Sequence, residues 1–231
     1  MVRKQIKQLK GQFFYLMASL LVLLLIYPFL HTTTFETFAS WFIGLIVFGA
    51  AIYADSDNTQ HFFVAFSLGV SYLIFSLFSL FSTSYYLRLL SMVFAVVFFT
   101  YTVFLILDSM LKKREVTANT IFGSVSVYLL FGFIFAQIFN FIMFVNPSSL
   151  VSSSLETFSY SESLYYSFVT LTTLGFGDVI PSTALTQSLS IFEAVLGQLY
   201  LAVLVALLIS NFIPNRFRKV PAKKYVQKKL K

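Results

Sequence analysis

Apolar positions along this chain gather into long runs separated by short polar breaks. A bilayer core takes about twenty apolar residues per spanning helix. Six stretches approach that length with few charges: 13–30, 38–54, 62–81, 86–107, 121–145 and about 187–213. The breaks HTTTFET, DSDNTQH and STS between the first four are short, so residues 1–111 should fold as a compact four-helix unit. A basic connector at 112–120 follows, and KKREVTANT has the make-up of a helix lying along the inner membrane surface. Residues 121–213 hold the last two runs, and 214–231 form a basic tail.

Between the fifth and sixth runs the pattern changes. NPSSLVSSSLETFSYSES is polar and Ser-rich and reads as external loop. ESLYYSFVTLTT is apolar but too short to span, which predicts a re-entrant helix. Ser159 and Glu162 have the S-x-x-E spacing of a capping box at its start. LGFGD comes next. Non-helical backbone at membrane depth is tolerated only where protein or water faces it, so this stretch should border an aqueous path. Glycine reaches positive φ at little steric cost, so Gly175 and Gly177 let the backbone alternate and aim successive carbonyls to one side. Several such strands about an axis would form rings of oxygens able to replace a cation's water shell. Thr173 would add its hydroxyl at the inner end.

Composition agrees with a membrane protein: 58% hydrophobic, 11% charged. Of the 16 Lys and Arg, four precede the first run, three lie between the fourth and fifth and eight follow the sixth, with Arg88 alone elsewhere. Six spans place those clusters on one side, which the positive-inside rule makes cytoplasmic, with both termini. The net charge of +7 is thus a topology signal rather than a nucleic-acid footprint. The first run is too long for a signal core and lacks a small-residue cleavage site after it, so it is expected to be retained. With no Cys, disulfides and thiol chemistry are excluded. The expected location is a prokaryotic plasma (inner) membrane, multi-pass.

The stretch SLYYSFVTLTTLGFGDVIP resembles the pore helix, selectivity filter and outer mouth of tetrameric potassium channels, whose filter reads TVGYG. The likeness is to prokaryotic six-helix members with one pore loop. It implies an all-α integral membrane fold of six transmembrane helices, a re-entrant pore helix and a filter loop, assembled as a homotetramer because each chain brings one filter strand. It also implies K⁺ as permeant ion, held by the carbonyls of Thr173, Leu174, Gly175 and Phe176 with Gly177 completing the filter, and no cofactor. Thr172, Asp178, Tyr165 and Tyr166 would support it: Asp178 beside the outer mouth, the tyrosines bracing it from behind. Phe176 lacks the hydroxyl of members with Tyr there. Val169 stands where some members carry a Glu, so a carboxyl pair with Asp178 is not available.

In the sixth run, E-x-x-x-G-Q-x-Y is met by Glu193, Gly197, Gln198 and Tyr200. The resemblance makes Gly197 a gating hinge; close packing without bending is the other reading. Glu193, an acid inside a membrane helix, is a functional candidate by default and is expected to pack on the pore helix. Leu201, Leu204 and Leu208 follow on the Gly197 face as an apolar inner passage, and Pro214 should stop the helix.

The first four runs resemble a voltage-sensor domain without its charges: the fourth has only Arg88 near its outer end and Asp108 near its inner end. One charge crossing the whole field yields about 2.3 kcal/mol per 100 mV, so four copies of Arg88 would supply at most about 9 kcal/mol. Weak or absent voltage dependence follows. Membrane lipids are expected partners; the eight basic residues of the tail either fix topology alone or also hold anionic lipids. No ligand-binding domain fits in that tail. His31, His61 and Glu193 form no catalytic constellation, which argues against an enzyme. The lack of a second glycine-broken segment argues against a transporter of inverted repeats. A weakly selective monovalent cation channel stays open beside the K⁺-selective one.

Overall fold

The computed structural model describes residues 12–29, 38, 41–42, 44–49, 59–81, 84–112, 117–152 and 159–217. Helix α1 (Gln12–Ile26) ends in a single 3-10 turn at Tyr27–Phe29. There Pro28 brings no N–H, so the α-helical ladder stops just before it. Helices α2 (Thr59–Phe81), α3 (Tyr85–Lys112) and α4 (Ala118–Val145) follow, then strand β1 (Leu150–Ser152), the short α5 (Tyr160–Leu171), strand β2 (Val179–Pro181) and the long α6 (Ala184–Phe217). Residues 44–49 of the second apolar run are helical, and most of the rest of that run lies outside the described residues, as do 113–116 of the basic connector and 218–231 of the tail.

Three of the described helices are long and apolar enough to cross a membrane: Tyr85–Lys112, Ala118–Val145 and Ala184–Ala206; Phe13–Ile26 and Phe63–Ser79 are shorter apolar stretches. Two serines of α2 turn their hydroxyls back on the helix: Ser76 Oγ donates to Leu73 O (3.1 Å) and Ser79 Oγ to Ser76 O (2.7 Å). Such back-bonding keeps a polar side chain satisfied where lipid offers no partner.

Caps decide where the helices begin. Thr117 and Thr120 exchange side-chain and backbone bonds as a capping box, so α4 starts at Ala118, three residues ahead of the apolar run. Thr183 and Thr186 do the same at the start of α6 (3.3 Å each way). At the far end α6 continues past Pro214 to Phe217, against the expectation that this proline stops it. A proline removes one i to i−4 bond, and the loss of that one bond leaves the helix intact here.

Helix α4 is the central post. Its apolar window is 61% buried, against 44% for α3 and 11% for α6. Helices α1 and α3 pack on it through Leu16, Leu20, Phe98, Ile106, Leu130 and Phe133, all within one buried cluster. Asn119 Oδ1 accepts the Phe13 N–H (3.2 Å) and pins the start of α1 to α4. Helix α5 lies against α4 where Gly132 leaves room: a Cβ there would come within 2.4 Å of the Phe168 ring. Strands β1 and β2 pair antiparallel, Val151 opposite Ile180, and tie the segment after α4 to the segment before α6.

Candidate functional site

The site is built on the ends of α5. At its start, the predicted capping box is present: Ser159 Oγ accepts the Ser161 N–H (3.1 Å) and Glu162 Oε2 accepts the Ser159 N–H (2.6 Å) and hydroxyl. At its close Thr172 (φ −83°, ψ −3°) donates its hydroxyl back to Phe168 O (2.6 Å). The next amides also fold back on the helix: Thr173 N–H to Thr170 O (2.9 Å), Leu174 N–H to Val169 O (2.9 Å) and Gly175 N–H to the same oxygen (3.5 Å). In a trans peptide the N–H of one residue points opposite to the C=O of the residue before. With three successive amides aimed at α5, the carbonyls of Thr172, Thr173 and Leu174 are turned away from it.

Backbone handedness then alternates. Thr173 (φ 60°), Gly175 (φ 59°) and Gly177 (φ 79°) are left-handed, with none of the residues between them at positive φ. Glycine pays little for this, whereas a residue with a Cβ pays about 1–2 kcal/mol. Thr173 is held in place by its amide bond to Thr170 and by Gln198 Nε2, 3.4 Å from its Oγ1. The loop is open to its surroundings in one chain, Leu174 at 61% and Phe176 at 66% exposure.

Asp178 closes the loop. Its Oδ2 accepts the Tyr165 hydroxyl (2.6 Å) and its Oδ1 the Val179 N–H (3.0 Å). The Tyr165 bond holds the Asp178 carboxyl below the usual range; burial opposes it, and backbone N–H groups of residues 178 and 179 add smaller lowering effects. The Tyr165 ring also stacks on Phe176 (centroids 6.5 Å, 8° between planes). Tyr165 thus touches the loop at two points. Tyr166 faces the other way: its hydroxyl pairs with Ser190 Oγ (2.6 Å) and its ring meets the Phe139 ring edge-on at 4.9 Å. It ties α5 to α6 and α4 rather than to the loop itself, because neighbours on a helix point about 100° apart.

Helix α6 grips α5 through the predicted pattern, one residue at a time. Glu193 Oε1 lies 2.5 Å from Ser167 Oγ. At Gly197 an added Cβ would stand 2.5 Å from the carbonyl oxygen of Leu171. Gln198 reaches Thr173, and Tyr200 donates to Ser124 O on α4 (2.8 Å). Close approach therefore accounts for the glycine, and α6 runs unbroken through it. Sequence reading missed Ser167 and Ser190, which receive these contacts; the i, i+4 pair Ser163 and Ser167 on one face of α5 was the available sign. It also missed the β1/β2 ribbon, whose sign was the β-branched pair Val179–Ile180 after the loop.

A family model described as an ion channel matches residues 123–213, from the first turns of α4 through α5 and the loop into α6. No curated protein and no solved structure matches the chain. Residues 123–213 are thus similar to an ion-channel domain, and together with the helices long and apolar enough to cross a membrane this points to a membrane protein that transports ions rather than to an enzyme.

Proposed function

We propose that the chain is a K⁺-selective channel of the plasma membrane, with four copies set around one axis and both termini cytoplasmic. Each copy contributes α5 as pore helix, residues 173–177 as filter strand and α6 as inner helix. The observation that carries this reading is the left-handed backbone at every second position, Thr173, Gly175 and Gly177, on a loop whose amides are taken up by α5. Carbonyls presented this way replace the hydration shell of a cation only when several strands face each other, which one chain cannot supply. Helix α6 supports the fourfold assembly: Phe192, Val195, Leu199 and Val203 are all half exposed or more, at helical spacing. Apolar residues there face lipid or a neighbouring copy. Anionic lipids at the basic tail belong to the same proposal.

A weakly selective monovalent cation channel is the second reading, favoured by one observation. Among the described residues the Asp178 side chain is held by a single other side chain, Tyr165, and α5 carries Val169 rather than an acid at the position that the resemblance singles out. One such clasp leaves the loop less restrained. The purified chain in liposomes, with K⁺ inside and Na⁺ outside, separates the two by its reversal potential. A value near the K⁺ equilibrium potential is expected; a value near zero selects the second reading, and no current overturns both.

A further inference from the structure

Glu193 is fully buried, and the protons around it can be counted. Its Oε1 is 2.5 Å from Ser167 Oγ, and that same Oγ is 2.7 Å from the carbonyl oxygen of Gly132. Oε2 has no partner. A serine hydroxyl has one proton to give, and both a carboxylate and a carbonyl only accept. If Glu193 were ionised, its Oε1 and the Gly132 oxygen would compete for that one proton, and one of two short contacts would be oxygen against oxygen with no hydrogen between them. If the carboxyl carries its own proton, both contacts are hydrogen bonds in series. Glu193 Oε1 donates to Ser167 Oγ, and Ser167 donates to Gly132 O.

Burial argues the same way. An ion in an apolar interior needs a counter-charge or several donors. Among the described residues the ionisable side chains that sense Glu193 are Tyr128 on α4 and Tyr166 on α5, neither of them basic. Among the described residues the ion pair present is Lys112 with Asp108, at the far end of α3. The three residues in series belong to three helices: Gly132 to α4, Ser167 to α5 and Glu193 to α6.

We infer that Glu193 acts as a neutral carboxylic acid, the donor that heads a hydrogen-bond chain through Ser167 to Gly132 and fixes the short helix between α4 and α6. Ser167 lies one turn before Leu171, whose carbonyl abuts Gly197, so this chain sets the height and rotation of the helix from which the loop departs. Glu193 is a positioning residue; it acts on the loop through α5. The inference stands whether or not the loop selects K⁺.

Infrared spectra of the purified full chain test it without a flux measurement. Subtracting the Glu193→Gln spectrum from that of the parent should show the loss of one protonated-carboxyl C=O band, with the carboxylate bands unchanged. In Ser167→Ala the acid loses its acceptor, and the band should move to higher frequency rather than vanish. Loss of carboxylate bands in Glu193→Gln instead overturns the inference. A second measurement covers the clamp. The amide of Glu193→Gln still donates to Ser167, so this variant should keep the parent melting midpoint, whereas Glu193→Met should melt lower. Equal midpoints for the two variants would overturn the clamp.

Discussion

Gly197→Ala separates a glycine kept for bending from one kept for contact. The new Cβ would stand 2.5 Å from the Leu171 carbonyl oxygen and 2.9 Å from Leu171 Cδ1, where ordinary contact begins at 3.4 Å. Leu171 Cδ1 is the end of a side chain and can turn. The carbonyl belongs to the last turn of α5 and cannot yield without moving the helix end, so α5 and α6 must part by about 0.9 Å (3.4 less 2.5 Å). Overpacking of this kind costs about 1–3 kcal/mol, and a backbone obstacle puts it near the top of that range. Alanine returns about 1 kcal/mol of helix propensity. The net is about 2 kcal/mol per chain, near a thirtyfold shift of equilibrium. Thermal unfolding in detergent should show a lower midpoint, and the reversal potential should drift from that of K⁺, because the displaced carbonyl immediately precedes Thr172. Leu171→Ala in the same chain should bring no rescue, since it removes Cδ1 and leaves the oxygen; a double-mutant cycle measures that coupling, expected near zero. Parent stability and selectivity in Gly197→Ala, with only opening and closing rates changed, would refute the contact argument and favour the hinge.

Three further outcomes follow from the same geometry. At Gly175 an added Cβ meets nothing within 4 Å, so Gly175→Ala costs only the left-handed φ of 59°, about 1–2 kcal/mol per chain; ion flux should be lost while the oligomer on a sizing column is retained. The Asp178 carboxyl lies below its usual value of about 4, so its clasp with Tyr165 contributes in full above that value and fades as pH falls through the lowered one. Selectivity should therefore hold until the outer solution is strongly acidic, and Tyr165→Phe should move the onset of its loss to higher pH; an unmoved onset removes Asp178 from this role. Arg88 is exposed in the first turn of α3, so Arg88→Gln should leave the conductance–voltage curve unaltered, and a changed slope would show that this charge crosses the field.

Much of this was legible in the sequence because it rests on local rules. The start of α5 after Ser159 follows from an S-x-x-E box, and its shortness from a stretch of about twelve mainly apolar residues that is too short to span. The left-handed positions at 175 and 177 follow from glycine's lack of a Cβ. Thr173 does not: nothing in a threonine announces positive φ, and only the Thr170 carbonyl and the Gln198 amide, brought up by the fold, keep it there. The helix starts at Ala118 and Ala184 were signalled by T-x-x-T, a weaker form of the box that apolar run counting passes over.

Long-range contacts were illegible for a different reason. Glu193, Gly197 and Gln198 form one pattern in the chain, but each answers a different feature of the segment it faces: a serine hydroxyl, a carbonyl and a threonine side chain. The glycine has to be small because the carbonyl is close, and the acid four residues earlier meets α5 one turn away. Gln198 then falls beside Thr173. The pattern works as one joint between α6 and the loop, so a substitution at any of its members should disturb the inner end of the loop before the outer end. That end is held separately by Tyr165 and Asp178.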